Sequence, residues 1–286
     1  MLTSKRGLAA ATLSAGLLFT AAPAFASTEP SEASPSDAEA KPSPQVDFST
    51  AAIRSIEPVD ESNANALAGA GGFTLSANAT LASEYRFRGV ALTDGDVAVQ
   101  GGLDLAHDSG FYVGTWASNL DDATVGYGDI ELDIYGGWSG DVGPGVSADV
   151  GVIGYLYPDA GPGDFDYVEL YGSLTGELGP ASVTGGVAYA PDQDSLGGTD
   201  NLYLYTDVSV GISGTPVTLN GHLGYTDGFL TFTTDGEAVD WSIGADVAAG
   251  PVTFSAAYVG VEGDALIDPA GTFTDDAFVV SVSASF

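Results

Sequence analysis

Residues 73–89 read FTLSANATLASEYRFRG, and this stretch decides the fold. Phe73, Leu75, Ala77, Ala79, Leu81 and Tyr85 fall on one face, and Thr74, Ser76, Asn78, Thr80, Glu84 and Arg86 on the other. A period of two means a strand with one apolar and one polar side. A run over 73–86 exceeds the ordinary globular strand of about 5–6 residues. It fits a tilted membrane-crossing strand, which needs about 9–11. The stretch ends in Arg86 and Arg88, the only basic residues after position 54. The expectation is the first strand of a closed barrel, with two guanidinium groups at its mouth.

Outward from there the same pattern recurs. Strands are expected over 73–86, 97–107, 111–120, 128–139, 146–157, 165–177, 181–189, 200–213, 217–226, 238–247, 252–259 and 277–286. Short turns hold Gly and Pro, as in Gly179-Pro180, Gly214-Thr215-Pro216 and Gly250-Pro251, which suit the backbone angles of tight turns. Long connections, rich in Asp, Gly and Thr, cover 87–96, 121–127, 158–164, 190–199, 227–237 and 260–276. Long and short alternate throughout. Twelve antiparallel strands in an all-β transmembrane barrel put both chain ends on the periplasmic side and the long loops outside.

The faces separate cleanly. Val99, Leu103, Ile130, Leu132, Val150, Leu170, Leu204, Leu219 and Ile243 lie on one parity, while the acids at strand centres lie on the other. A soluble sandwich would also alternate, so strand length and aromatic placement decide. Tyr85, Tyr189, Tyr225, Tyr258, Trp241 and Phe278 are expected at one height of the apolar face, and Phe73, Phe111, Trp138 and Phe286 at the other. Two such girdles match the two membrane interfaces. The last strand alternates through Phe278, Val280, Val282, Ala284 and Phe286. An open edge cannot persist in lipid, so it is expected to pair with the first strand. Its terminal Phe286 resembles the signal read by the outer-membrane barrel-assembly machinery.

The start of the chain differs. Lys5 and Arg6 precede an apolar run over 8–19, and Ala24-Phe25-Ala26 is a small-x-small cleavage site, so residues 1–26 read as a secretory signal peptide. Residues 27–72 are expected to be an acidic, Ser/Pro-rich disordered periplasmic segment. The chain has no cysteine, which excludes disulfides and a lipid anchor on cysteine. With 39 acidic and 6 basic residues, nucleic acid is excluded as a partner.

Segments 83–118, 129–140 and 275–286 are similar to the TorF-type porin family, most specifically in the Tyr-Arg-Phe-Arg-Gly run at 85–89 with Thr93-Asp94-Gly95. The resemblance spans about 73–286. It implies an outer-membrane location and a channel.

The polar parity makes the expected lumen acidic. Candidate pore-lining or mouth residues are Glu84, Arg86, Arg88, Asp104, Asp129, Glu131, Asp133, Asp149, Glu169, Asp207, Asp240 and Asp246. Carboxylate rings favour cations in a pore. Arg86 and Arg88 either cross to acids on other strands and narrow the entrance or hold the first strand in register by a salt bridge. Trp116, Tyr135, Tyr155, Tyr157, Tyr171, Tyr203 and Tyr205 share the lumen, as packing or as stacking surfaces for a solute.

Other chemistry is thinly represented. His107-Asp108-Ser109 is contiguous in a tight turn, a poor geometry for a triad, and His222 faces the lumen beside Thr218 and Asn220. No zinc spacing is present, and Asp192, Asp194 and Asp200, like Asp264, Asp268, Asp275 and Asp276, match no complete calcium loop. No cofactor, metal or enzymatic activity is expected. The expected function is passive diffusion of small hydrophilic solutes or ions, with cations preferred. The alternative is a plugged barrel with a structural or adhesive role.

Overall fold

The computed structural model describes residues 67–68, 71–161, 165–264 and 273–286. The expected signal peptide, nearly all of the 27–72 segment, and Asp268 lie outside the described residues. Twelve long strands follow in chain order: β1 (Phe73–Ala82), β2 (Ala98–His107), β3 (Phe111–Asn119), β4 (Ile130–Gly143), β5 (Val146–Leu156), β6 (Tyr167–Leu178), β7 (Ala181–Gln193), β8 (Thr199–Gly211), β9 (Val217–Gly228), β10 (Glu237–Ala249), β11 (Val252–Glu262) and β12 (Ala277–Ser285). Each pairs antiparallel with its neighbours in sequence.

Closure comes from β12 pairing with β1, at Val282 opposite Leu81 and Ser285 opposite Asn78. Phe286 and Ala77 exchange backbone hydrogen bonds of 2.9 and 3.0 Å just below. Where β12 runs out, a two-residue strand, Leu67–Ala68, pairs with Leu75 and Thr74. The edge expected to be intolerable in lipid is therefore paired from Val280 to Phe286, with Leu67–Ala68 continuing the cover over Leu75 and Thr74.

The burial pattern is that of a soluble protein turned inside out. Leu103 is 53 % exposed and Ile243 67 %, whereas Asp104, Glu131, Asp133 and Glu169 are all at 1 % or less. A soluble fold has no reason to hide carboxylates and present Leu, Val and Ile to solvent. A barrel in lipid has that reason. Among the described residues no helix is long and apolar enough to cross a membrane. The outward strand faces carry the apolar surface instead. Phe73, Phe111, Tyr189, Tyr258, Phe278 and Phe286 all face out, as expected.

Two expectations need correction. The first strand does not run to residue 86: β1 ends at Ala82, and the chain turns into the barrel. Tyr85 is consequently fully buried rather than part of the outer girdle. The seventh strand runs past Tyr189 to Gln193, with a register shift between Ala190 and Gln193, so the first part of the long 190–199 connection is strand.

Inside, bulky rings sit over glycines. Tyr135 lies opposite Gly114, Tyr112 opposite Gly137, Tyr171 opposite Gly151 and Tyr205 opposite Gly186. A Cβ on Gly114 or Gly151 would come 2.5 Å from the ring of Tyr135 or Tyr171. The missing side chain gives each ring its seat. Replacing Gly151 by Val is expected to destabilise the barrel by about 1–3 kcal/mol through overpacking. Gly185→Val, where nothing lies within 4 Å of an added Cβ, is the matched control. Urea unfolding of the two variants in detergent micelles, followed by circular dichroism, checks this, and equal midpoints would refute the seating role.

Candidate functional site

The functional candidate is the barrel interior, and it is built on the hairpin that follows β1. Arg86–Phe87 pairs with Val90–Ala91. The residues between them, Arg88 and Gly89, have φ of 48° and 83°. Two successive positive φ angles are those of a type I′ turn, which asks for Gly at its second position. Gly89 is also held by space: a Cβ there would lie 2.8 Å from the Gly260 carbonyl oxygen. The Leu92 amide donates to the Tyr85 carbonyl at 2.8 Å, the Ala91 amide to the Phe273 carbonyl at 2.8 Å, and the Tyr85 amide to the Thr93 hydroxyl at 2.9 Å. Tyr85, Val90, Ala91, Leu92 and Thr93 are all buried. The hairpin is thus packed inside the barrel.

It carries both arginines inward. Arg86 donates to Glu84 at 2.9 Å and to the carbonyls of Gly89 and Asp275 at 2.9 and 2.7 Å. Arg88 reaches the opposite wall, where its Nη2 meets both Glu169 oxygens at 2.8 and 2.7 Å. Its guanidinium lies 4.3 Å from the Tyr203 ring centroid and 4.7 Å from that of Phe87. Burial opposes the charge on Arg88, but Glu169 outweighs that and holds its pKa above the usual guanidinium value. Burial and the neighbouring Glu131 push the Tyr85 hydroxyl well above the ordinary phenol value, so it stays a donor.

Phenols satisfy most of the remaining carboxylates. Tyr85 and Tyr157 donate to Glu131 at 2.8 and 3.3 Å, and Tyr155 to Glu169 at 3.2 Å. Tyr112 donates to Asp149 and Tyr135 to Asp104, each at 2.6 Å. Tyr203 donates to Asp240 at 2.9 Å. His222 bridges Asp207 at 2.6 Å and Asp240 at 2.9 Å. Asn220 donates to Asp246 at 2.9 Å. Charge-assisted bonds of this kind are stronger than neutral ones, and the low local dielectric strengthens them further.

Of the twelve candidates from the sequence, eleven are buried together inside the barrel. Asp129 stands apart: it precedes β4, is exposed, and its amide donates to Asp159 at 3.1 Å. Of the seven expected lumenal aromatics, Trp116, Tyr135, Tyr155, Tyr157 and Tyr203 are buried, while Tyr171 and Tyr205 are half-buried. Tyr85, Phe87, Tyr112 and Tyr167 belong to the interior as well. Strand parity was enough to place Tyr112 on the same face as Trp116, four positions further on. The Arg88-Gly89 pair was the available signal for the hairpin that brings in Tyr85 and Phe87.

Beside the connections after β5 and β7 a cavity of about 370 Å³ is lined by Tyr157, Phe165, Asp166, Gln193 and Asp194, among others. In the exposed turn between β2 and β3, His107 Nδ1 lies 2.7 Å from the Ser109 hydroxyl. Among the described residues no group of three or more His, Asp or Glu side chains is close enough to hold a metal ion.

Two solved structures share this architecture. The NanC porin, in a rhombohedral crystal form, superposes with a TM-score of 0.51 at 9 % identity, covering 73 % of this chain and 98 % of its own. The KdgM porin, in complex with disordered oligogalacturonate, superposes with a TM-score of 0.51 at 9 % identity, covering 74 % and 99 %. These likenesses establish the porin-type barrel fold. No curated protein sequence is a significant match. The profile of the Gcw_chp family, described as a bacterial protein of unknown function, matches residues 66–286, and the chain belongs to that family.

Proposed function

We propose that the protein is an outer-membrane channel for small hydrophilic solutes or ions, that it prefers cations, and that it is of the TorF type. The observation that carries this is the charge of the interior. Nine buried carboxylates (Glu84, Asp104, Glu131, Asp133, Asp149, Glu169, Asp207, Asp240 and Asp246) face two buried guanidiniums among the described residues. Carboxylates so placed attract cations and repel anions. KdgM was crystallised with a polyanion, oligogalacturonate. The interior here is itself acidic and repels a polyanion, so the shared fold does not carry that ligand over.

The apolar belt and the exposed Phe286 at the end of β12 support an outer-membrane location reached through the barrel-assembly machinery, after export directed by residues 1–26. The acidic 27–72 segment then lies on the periplasmic side. A second reading, a plugged barrel with a structural or adhesive role, is favoured by one specific observation. The hairpin and the Arg88–Glu169 pair occupy the outer half of the interior, and most side chains there are buried.

Planar-bilayer recording separates the two. With the purified, refolded barrel under a KCl gradient, the channel reading predicts discrete conductance steps and a reversal potential displaced toward the potassium equilibrium value. A correctly folded barrel that passes no current would establish the plugged reading. Within the channel reading, Arg88→Ala removes the only guanidinium that bridges to β6 among the described residues. It is expected to raise single-channel conductance by about twofold or more and to sharpen cation selectivity, since one positive charge leaves the constriction. Unchanged conductance and selectivity would reduce Arg88 to a structural strut.

A further inference from the structure

His222, on β9, holds two carboxylates against one ring, and its side chain is buried. Its Nδ1 is 2.6 Å from Asp207, which lies directly opposite on β8, and its Nε2 is 2.9 Å from Asp240 on β10. The Tyr203 hydroxyl sits 2.8 Å from the same Nε2 and 2.9 Å from Asp240. Gly224 makes the room, because a Cβ there would run into Asp240 and the Tyr203 hydroxyl. The rings of Tyr203 and Tyr205 stack near the imidazole, with centroids at 6.4 and 6.3 Å. Asp246, further along β10, accepts from Asn220. The hairpin's Arg88 rests on the Tyr203 ring and is paired with Glu169.

The geometry decides where the protons go. A neutral imidazole has one N–H donor and one lone pair, and an ionised carboxylate only accepts. Either neutral tautomer would turn its lone pair toward a carboxylate at hydrogen-bond distance. If that lone pair took the Tyr203 proton instead, Asp240 would lose its phenol donor. A ring protonated on both nitrogens leaves nothing unmatched: Nδ1–H donates to Asp207, Nε2–H to Asp240, and the Tyr203 hydroxyl to Asp240 as well. We propose that His222 is an imidazolium clamp, a third lumenal cation beside the two arginines, whose proton joins β8, β9 and β10 and makes the lumen's charge respond to alkaline pH. The arginines cannot respond in this way, since a guanidinium is not deprotonated in proteins. The groups facing the ring are Asp207, Tyr203 and Tyr205 from β8, Asp240 and Asp246 from β10, and Arg88 from the hairpin. The one other cation among them is already engaged by Glu169, so nothing there replaces a lost imidazolium charge. Losing it leaves the interior more acidic, and a more acidic pore selects cations more strongly. The clamp rests on hydrogen-bond geometry alone, and its effect on selectivity rests on the channel reading of the same lumen.

The test is spectroscopic first. The chain has two histidines, so His107→Gln leaves His222 as the single reporter. In that protein, labelled with nitrogen-15 at histidine and refolded in detergent micelles, imidazole nitrogen shifts distinguish a ring with two N–H groups from either neutral tautomer. At about pH 8, where an ordinary imidazole is neutral, His222 is expected to carry both N–H groups. A neutral His222 at that pH overturns the clamp, whichever carboxylate has then taken the proton. Asp240→Asn leaves one carboxylate on the ring and is expected to lower the pH at which the second N–H is lost by about one unit or more. No shift overturns the bridge. Should that variant fail to fold, Asp207→Asn replaces it under the same criterion. In a planar bilayer under a KCl gradient, the reversal potential is expected to move toward the potassium value as His222 loses its proton, and to move less in His222→Gln. Equal movement in both overturns the effect on the lumen's charge. A folded barrel with an imidazolium at His222 that passes no current keeps the clamp and loses the channel. A conducting barrel with a neutral His222 keeps the channel and loses the clamp.

Discussion

Backbone pairing without a free edge is the constraint on which the rest of this structure depends. In hydrocarbon an unpaired amide or carbonyl has no water to turn to, so the sheet must close on itself. The closing contact is made by the two strands farthest apart in the sequence, β12 and β1, and it is extended by the Phe286–Ala77 backbone bonds and the short Leu67–Ala68 strand. Once the sheet is closed, strand parity assigns every residue to lipid or lumen. Leu103 and Asp104 are chain neighbours, yet one is 53 % exposed and the other 1 %.

The interior then has to be filled or hydrated, and much of it is filled. Tyrosines reach across the glycines of neighbouring strands and donate to carboxylates, so the same residues pack the lumen and satisfy its charges. Glycine and tyrosine are complementary here: the first clears the wall, and the second occupies the cleared space and carries a donor at its tip. The hairpin after β1 completes the arrangement by placing a guanidinium where the acids of the opposite wall converge. The pattern is incomplete at a few buried atoms among the described residues, on Arg88, Gln100, Asp133, Asn201 and Ser281.

Much of this was legible in the sequence because the governing period is short. Alternation over a dozen residues fixed strand number, facing and the identity of the lumenal acids, and eight of the eleven buried candidates lie on long strands and needed no information beyond parity within one strand. The misses arose where tertiary structure overrides local pattern. Tyr85 has the parity of an outward girdle residue, but parity lost its meaning when the chain left the sheet at Ala82. Arg88 sits in a turn, so nothing local indicated that it would meet Glu169, far away in sequence. Asp129 shares a period with Glu131 and Asp133 but lies just outside β4, and a boundary shift of two residues moved it from lumen to solvent. The unpaired state of Asp133 is a property of its whole surroundings, which no window of sequence contains.

The central claim is the inside-out distribution of side chains, and the native tryptophans report on it directly. Trp116 faces the lumen at 5 % exposure, and Trp241 lies on the outward face of β10 against Tyr258. Single-tryptophan proteins retaining one or the other, refolded into vesicles containing brominated lipid, compare the two faces at once. The account predicts strong bromine quenching of Trp241 and little of Trp116. Equal quenching of both, or quenching of Trp116 alone, would contradict it.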